Sequence, residues 1–138
     1  MKMKTNLDVK FKINDQLETE GIDVEVADGV TFKVKRFGGF NSQKVKAAVN
    51  EYLKPYSKKM ENGTLPPEKE YEIQVKVFVK SCLVSWSGVL EEINGEMVAV
   101  EFSEQNAIKL LLNLRSLFEV LVAEASNENN YKEVMGNA

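Results

Sequence analysis

The chain has 138 residues, 43% of them hydrophobic and 28% charged, as expected for one soluble globular domain. It has no histidine and a single cysteine, Cys82, which excludes Ser-His-Asp and Cys-His catalysis, an ordinary zinc site and an internal disulfide. The sequence contains no run of about 18 apolar residues that would span a membrane, no signal peptide and no tight aspartate cluster for magnesium. We therefore expect a cytoplasmic protein that is not an enzyme and binds no cofactor or metal.

The charges are distributed unevenly along the chain. Residues 1–66 carry 12 Lys and Arg against 9 Asp and Glu, a net charge of +3, whereas residues 67–138 carry 6 against 12, a net charge of −6. The basic excess is concentrated between residues 33 and 59. Such a chain can pair head-to-tail with copies of itself, or present one face to an acidic partner.

The N-terminal part of the chain predicts a small antiparallel sheet. Residues 7–13 alternate between apolar and polar side chains with the period of a half-buried strand, and residues 14–21 are polar and turn-like. Alternation resumes in two runs within residues 22–34, which are separated by the turn dipeptide Asp28-Gly29. We expect two or three strands, with a helix packed on their apolar face because a two-stranded hairpin alone is marginal.

A helix is predicted after Asn41 and Ser42, which are suitable N-cap residues. Its apolar stripe has helical spacing and consists of Val45, Ala48, Val49, Tyr52, Leu53 and Tyr56. Pro55 indicates that the helix ends or kinks there. The preceding Gly38-Gly39 pair lacks the spacing of a phosphate-binding loop, so we interpret it as a flexible hinge.

Residues 71–82 fit two different structures. Valine and isoleucine occupy alternate positions, as in a strand, and this composition favours a strand. The apolar residues also fit a helical stripe, and Pro66-Pro67 upstream is suited to a helix start. Periodicity alone leaves both structures open. Cys82, at the end of this run, is expected to be a buried and unreactive thiol.

The stretch 81–125 is the one around which the rest of the chain is organised. Trp86 is the only tryptophan and lies near the end of an apolar run, so we expect it in or near the core, between two helices. Asn94-Gly95 predicts a hairpin or tight turn. Ser103 is expected to cap the following helix.

The C-terminal third is rich in leucine. Residues 107–125 form an apolar surface too broad for one helical stripe, so we expect two helices with a break at residues 113–116. The excess apolar surface indicates either deep burial or an interface with another chain. Residues 127–138 are polar and are expected to form one short helix or a disordered tail.

Several stretches resemble tail assembly chaperones of long-tailed, siphovirus-type bacteriophages. The resemblance is carried by FKVKRFGGFNS at residues 32–42, LVSWSGV at 83–89 and VEFSEQNAIKLL at 100–111, and it covers roughly residues 25–132. In that family the element before the tryptophan is helical, so the resemblance implies a helix at residues 71–82.

The resemblance implies a non-enzymatic protein of the infected host cytoplasm. Such chaperones coat the tape measure protein, keep it soluble, recruit tail tube subunits and leave before the tail is complete. Many are also made in a longer form by a −1 ribosomal slip near the stop codon, on a heptamer of the form G GGA AAY. Met135-Gly136-Asn137 fits that heptamer. A slip here and a chance match both remain open.

These elements predict an α+β fold, in which a small N-terminal antiparallel β-hairpin sheet packs against a mainly α-helical body of four to five helices. One domain is expected at residues 1–126, β-rich in 1–37 and helical in 41–126, with a polar tail at 127–138. The candidate interface residues are Trp86, Leu114, Phe118 and Leu121 on the apolar side and Lys44, Lys54 and Lys58 on the charged side. Each of them can equally be a core residue or part of a solvated face.

The expected partners are the tape measure protein, the tail tube protein and further copies of this chain, with no membrane. One rival hypothesis is a structural virion protein of the tail or connector. A weaker rival is a nucleic-acid-binding module, because residues 32–59 interleave aromatic side chains with Lys and Arg.

Overall fold

A computed structural model describes residues 3–133 as an α+β fold, which confirms the predicted class. A β-hairpin precedes a body of five helices, α3 to α7, within the predicted range. In chain order the elements are α1 (Asp8–Phe11), α2 (Asp15–Glu20), β1 (Ile22–Ala27), β2 (Val30–Val34), α3 (Ser42–Leu53), α4 (Ser57–Glu61), α5 (Pro67–Ser81), β3 (Leu83–Ser87), β4 (Leu90–Ile93), β5 (Glu96–Ala99), α6 (Glu104–Asn113) and α7 (Arg115–Ser126). Short 3-10 helices occupy Gly39–Asn41, Lys54–Tyr56 and Glu128–Tyr131.

The larger sheet has three antiparallel strands in the order β1-β2-β3. The predicted hairpin of β1 and β2 is confirmed, with Val24 opposite Phe32. On the other side of β2, Phe32 lies opposite Trp86 of β3. Gly88, just after β3, has a φ of +82° and lies so close to the Gly29 backbone that a Cβ there would overlap it. The glycine after Ser87 therefore lets the end of β3 approach the β1–β2 turn.

The third strand is not the one expected from the sequence. Residues 7–13 were predicted to be a strand, but α1 occupies most of them, and Ile13 forms only an isolated bridge with Lys132. The predicted turn at residues 14–21 is also wrong, because Asn14 caps α2 by accepting a hydrogen bond from the Leu17 N–H at 3.1 Å. Alternation over seven residues predicts a strand only weakly, because strand preference depends on the neighbours that a segment meets, and residues 7–13 pair with none of the described strands.

Helix α5 settles the ambiguity at residues 71–82 in favour of the helix. It begins at Pro67, the position where proline costs no hydrogen bond. Its buried residues fall in two clusters on different sides, so apolar side chains surround much of the helix. The buried residues of α5 are Tyr71, Ile73, Val75, Val77, Phe78, Val79 and Ser81. This wide burial explains why the apolar positions fitted a strand as well as a helical stripe, since Ile73 and Val77 are buried outside that stripe.

The remaining helices follow the sequence pattern closely. The Ser103 Oγ accepts a hydrogen bond from the Asn106 N–H at 3.0 Å, so the predicted cap of α6 is confirmed. Leu114 separates α6 from α7, within the predicted break. The C-terminal segment takes the short-helix alternative as far as Tyr131, whose side chain is fully buried. Residues 135–137, the possible slip site, lie outside the described residues. No helix of the described chain is long and apolar enough to cross a membrane.

Candidate interaction surface

An apolar cleft of about 290 Å³ opens between α3, α5 and α7. Its walls are almost entirely hydrophobic, and among the described residues only Glu70 and Gln74 line it with polar side chains. Met60, contributed by α4, is 41% exposed. The apolar lining residues are Phe37, Val49, Leu53, Met60, Ile73, Val77, Phe118 and Val122. Such a lining is suited to apolar side chains of a partner.

Three exposed lysines lie on the segment that brings Met60 to the cleft. These are Lys54, Lys58 and Lys59, which we name the lysine rim. Within residues 3–133, none of them forms an ion pair with a carboxylate. With Glu51 and Glu61, residues 51–61 carry a net charge of +1. A positive edge next in the chain to Leu53 and Met60 of the cleft favours a partner that combines apolar and acidic groups.

Lys44 belongs to a different part of the surface from Lys54 and Lys58. It is exposed in the first turns of α3 and lines a shallow recess together with Lys35 and Lys80. Ten residues of chain, about 15 Å of helix at 1.5 Å per residue, separate it from the lysine rim. The structure therefore brings two of the three candidate lysines together and leaves the third apart.

Trp86 is a partly buried residue beside the core, as expected, although it does not lie between two helices. Its ring makes edge-to-face contacts with Phe32 and Phe102, at centroid distances of 5.6 and 5.1 Å. Its indole N–H donates a hydrogen bond to the Val100 carbonyl at 2.8 Å. Trp86 thus ties the three-stranded sheet to the base of the β4–β5 hairpin.

The β4–β5 hairpin is far more exposed than the three-stranded sheet, because every residue of both its strands is solvent-exposed. It confirms the turn predicted at Asn94-Gly95, where both residues have positive φ. Its charged residues are all acidic, namely Glu91, Glu92 and Glu96, and its exposed large apolar residues are Leu90, Ile93, Met97 and Val98. We name residues 90–99 the acidic hairpin.

The apolar candidates on α7 and before it occupy three different environments. Leu114 is 43% exposed at the joint between α6 and α7. Phe118 is only 7% exposed, contacts Tyr71 and Phe78 edge-to-face, and lines the cleft. Leu121 is fully buried in the main core. Only Leu114 offers a partner a large surface in this conformation.

A buried polar cluster lies where both terminal segments meet the body. The Arg36 guanidinium donates to the carboxylate of Glu18, which is 5% exposed, and also approaches Glu128 at 3.7 Å. Gly39 has a φ of +54°, and a Cβ there would lie 2.5 Å from Glu18 Oε1 and 2.6 Å from Arg36 Nη1. The Gly38-Gly39 pair is therefore a packed turn over the ion pair, not the hinge that the sequence indicated.

Asn41 and Cys82 complete this cluster. The Asn41 side-chain amide donates to the Arg36 and Ser81 carbonyls at 3.0 and 2.8 Å, so it does not cap α3 as predicted. The predicted burial of Cys82 is confirmed. Burial raises the pKa of the Cys82 thiol to about 11, which keeps it protonated near neutral pH. Burial likewise raises the pKa of Tyr131, whose buried hydroxyl has no hydrogen-bond partner among residues 3–133.

Sequence reasoning missed the apolar cleft. Phe37 lies before α3, and the other lining residues come from three helices and from Met60, so no local pattern connects them. The α3 stripe that contains Val49 and Leu53 was recognised, but a stripe does not reveal whether its neighbours cover it completely. In residues 3–133 no group of three or more acidic or cysteine side chains is placed to hold a metal ion.

The molecule is thus an α+β protein whose prominent surface features are an apolar cleft and an exposed acidic hairpin. A family model described as the YdaY prophage protein matches residues 40–136, well over half of the chain, and the chain belongs to that family. The prophage family confirms the bacteriophage origin that the resemblance implied. The matched region contains the acidic hairpin, the lysine rim and all seven candidate interface residues. No curated protein and no solved structure matches the chain significantly.

Proposed function

We propose that this prophage protein is a tail assembly chaperone, which binds the tape measure protein through the apolar cleft and keeps it soluble. The observation that carries the proposal is an apolar cleft left open beside an unpaired lysine rim. The prophage family and the resemblance to tail assembly chaperones support the phage assembly role. The role is binding and not catalysis, and it requires no cofactor.

The chemistry of the cleft suits an amphipathic helix of the client. Apolar side chains spaced three or four residues apart would enter the cleft, and flanking carboxylates would face the lysine rim. Binding in this way covers apolar surface that would otherwise aggregate. Recruitment of tail tube subunits would use a different face, and the chaperone would remain in the host cytoplasm when the tail is finished.

The test is co-expression with the tape measure protein of the same prophage. We expect the wild-type chain to keep it soluble. Met60→Glu places a carboxylate in the apolar cleft, and we expect it to weaken binding about tenfold or more because a charge must be desolvated there. The readout is the tape measure protein retained in the soluble fraction and co-purified with the chaperone.

Leu112→Glu is the matched control, since Leu112 is 40% exposed on α6, close to the exposure of Met60, and does not line the cleft. It should leave client binding unchanged, and circular dichroism should show both variants folded. Equal retention of the tape measure protein by the two variants would contradict the assignment of client binding to the cleft.

The alternative of a structural virion protein is equally compatible with the prophage family. Mass spectrometry of purified virions separates the two, because a chaperone is absent from the particle and a virion protein is present stoichiometrically. The nucleic-acid hypothesis is disfavoured by Tyr52 and Tyr56, which pack on a hydrophobic cluster and are not free to stack on bases. Salt-sensitive oligonucleotide binding would revive it.

A longer frameshifted form is part of the proposal. The codons for Met135-Gly136-Asn137 should read as the heptamer G GGA AAY, followed by a long open −1 frame. A different glycine codon, or an immediate −1 stop, would remove the frameshift from the proposal and leave the cleft hypothesis unaffected.

A further inference from the structure

The acidic hairpin carries apolar surface that its own chain does not cover. Its extensive contacts are between its two strands, and Trp86 and Val100 hold only its base. A two-stranded hairpin is marginal in water unless its apolar side chains are covered. Leu90, Ile93 and Met97 are among its exposed residues, so a partner that covers them would stabilise the element.

The register places each carboxylate next to an apolar side chain. Glu91 pairs with Val98, Glu92 with Met97 and Glu96 with Ile93. Residues paired across an antiparallel ladder share one face, so both faces of the hairpin combine apolar and acidic groups. No Lys or Arg occurs between residues 81 and 108. Lys109 of α6 lines a recess with Leu90 and Glu91, but within residues 3–133 none of the three carboxylates forms an ion pair.

The complementary surface exists on the same molecule. The cleft is apolar, and the lysine rim beside it is exposed and unpaired within residues 3–133. We propose that the acidic hairpin of one copy docks over the cleft and lysine rim of a second copy. The docking face is the one that carries Glu91, Ile93, Glu96 and Val98. Docking buries Ile93 and Val98 against the cleft and brings two carboxylates to the lysine rim.

This contact is head-to-tail, because the two surfaces that meet are different parts of the chain. A heterologous contact of this kind leaves a free hairpin and a free cleft, so it builds a ring or an open chain. Symmetric pairing of two hairpins is disfavoured, since it would bring the carboxylates of both copies together. If the cleft also binds the client, which rests on the proposed function, client and hairpin compete for it.

Charge reversal tests the contact directly. One variant carries Glu91→Lys, Glu92→Lys and Glu96→Lys, and the other carries Lys54→Glu, Lys58→Glu and Lys59→Glu. By sedimentation velocity at low ionic strength, we expect the wild-type chain to associate. Each variant alone should associate at least about tenfold more weakly, because like charges then meet at the contact. The equimolar mixture should recover association, since every hairpin in it finds a rim of opposite charge.

Two results would overturn the proposal. One is a wild-type chain that stays monomeric at concentrations up to hundreds of micromolar. The other is a rim variant that associates as strongly as wild type, which would assign the contact to hairpin–hairpin pairing or to another surface. Client binding is measured separately with the hairpin variant, whose cleft is intact. If the wild-type chain associates as expected but the hairpin variant does not bind the client, only the proposed function is rejected. If the hairpin variant binds the client but the wild-type chain stays monomeric, only this contact is rejected.

Discussion

At the scale of single residues, the Arg36–Glu18 ion pair constrains which residue types can occupy the adjacent turn. The pair is enclosed by the turn at Gly39, where both the positive φ and the lack of space require glycine. Asn41 holds the same turn by donating to the Arg36 and Ser81 carbonyls. Gly39 in the FGGFN motif is thus explained by packing over buried charges, which cost several kcal/mol when their partner is displaced. Gly38 lies in open space, and only its φ of +142° favours glycine.

Replacing Gly39 by alanine should destabilise the protein strongly. The Cβ clashes with both members of the ion pair and the backbone is strained, so we expect a loss of about 3 kcal/mol in the free energy of unfolding. Gly63→Ala is the control, because Gly63 also has positive φ but lies in open space; it should cost roughly 1 kcal/mol. Urea unfolding followed by Trp86 fluorescence measures both. Equal losses of unfolding free energy in the two variants would show that the ion pair tolerates a Cβ atom at position 39.

At the scale of elements, part of the capping and turn chemistry was predictable because it depends on adjacent residues, but Asn14 caps α2 and Asn41 does not cap α3, against the prediction. The turns at Asp28-Gly29 and Asn94-Gly95 and the cap at Ser103 all formed where the sequence indicated. Strand and helix assignments failed where the decisive neighbour was distant. Residues 7–13 form α1 and one isolated bridge to Lys132, and residues 83–87 became a strand because β2 offered them an edge.

The cap of α6 makes a quantitative prediction at this scale. Ser103→Ala removes the acceptor for the Asn106 N–H and should lower the free energy of unfolding by about 1 kcal/mol. Ser116→Ala is the control, since Ser116 is an exposed serine in the first turn of α7 that caps nothing. It should change stability by less than about 0.5 kcal/mol. Indistinguishable denaturation midpoints for the two variants would contradict the cap's contribution.

At the scale of the whole molecule, the two terminal segments hold each other against the body. The Asn14 N–H donates to the Tyr131 carbonyl at 2.8 Å, and the Glu133 N–H donates to the Lys12 carbonyl at 3.1 Å. Glu128 approaches Arg36, whose other partner is Glu18 of α2. The fully buried Tyr131 ring anchors this arrangement in the interior.

Tyr131→Ala should therefore release both terminal segments together. Loss of a buried aromatic ring costs about 3 to 5 kcal/mol, and amide hydrogen exchange should rise in α2 as well as near residue 131. Tyr131→Phe keeps the ring and removes a buried hydroxyl that has no partner, so its stability should equal or exceed that of the wild type. Unchanged exchange in α2 of the alanine variant would show that the N-terminal segment is held independently.

The sequence by itself determined the α+β class, the hairpin turns, the α6 cap and the break before α7, because each follows from composition or from residues close in the chain. The sequence also showed that the two halves of the chain carry opposite net charges. Tertiary structure alone decided that β3 completes the sheet, that Phe118 and Leu121 are buried, and that an open cleft lies beside three unpaired lysines. These features arise from contacts between distant elements, and the same apolar residue can be core or surface according to which neighbour covers it.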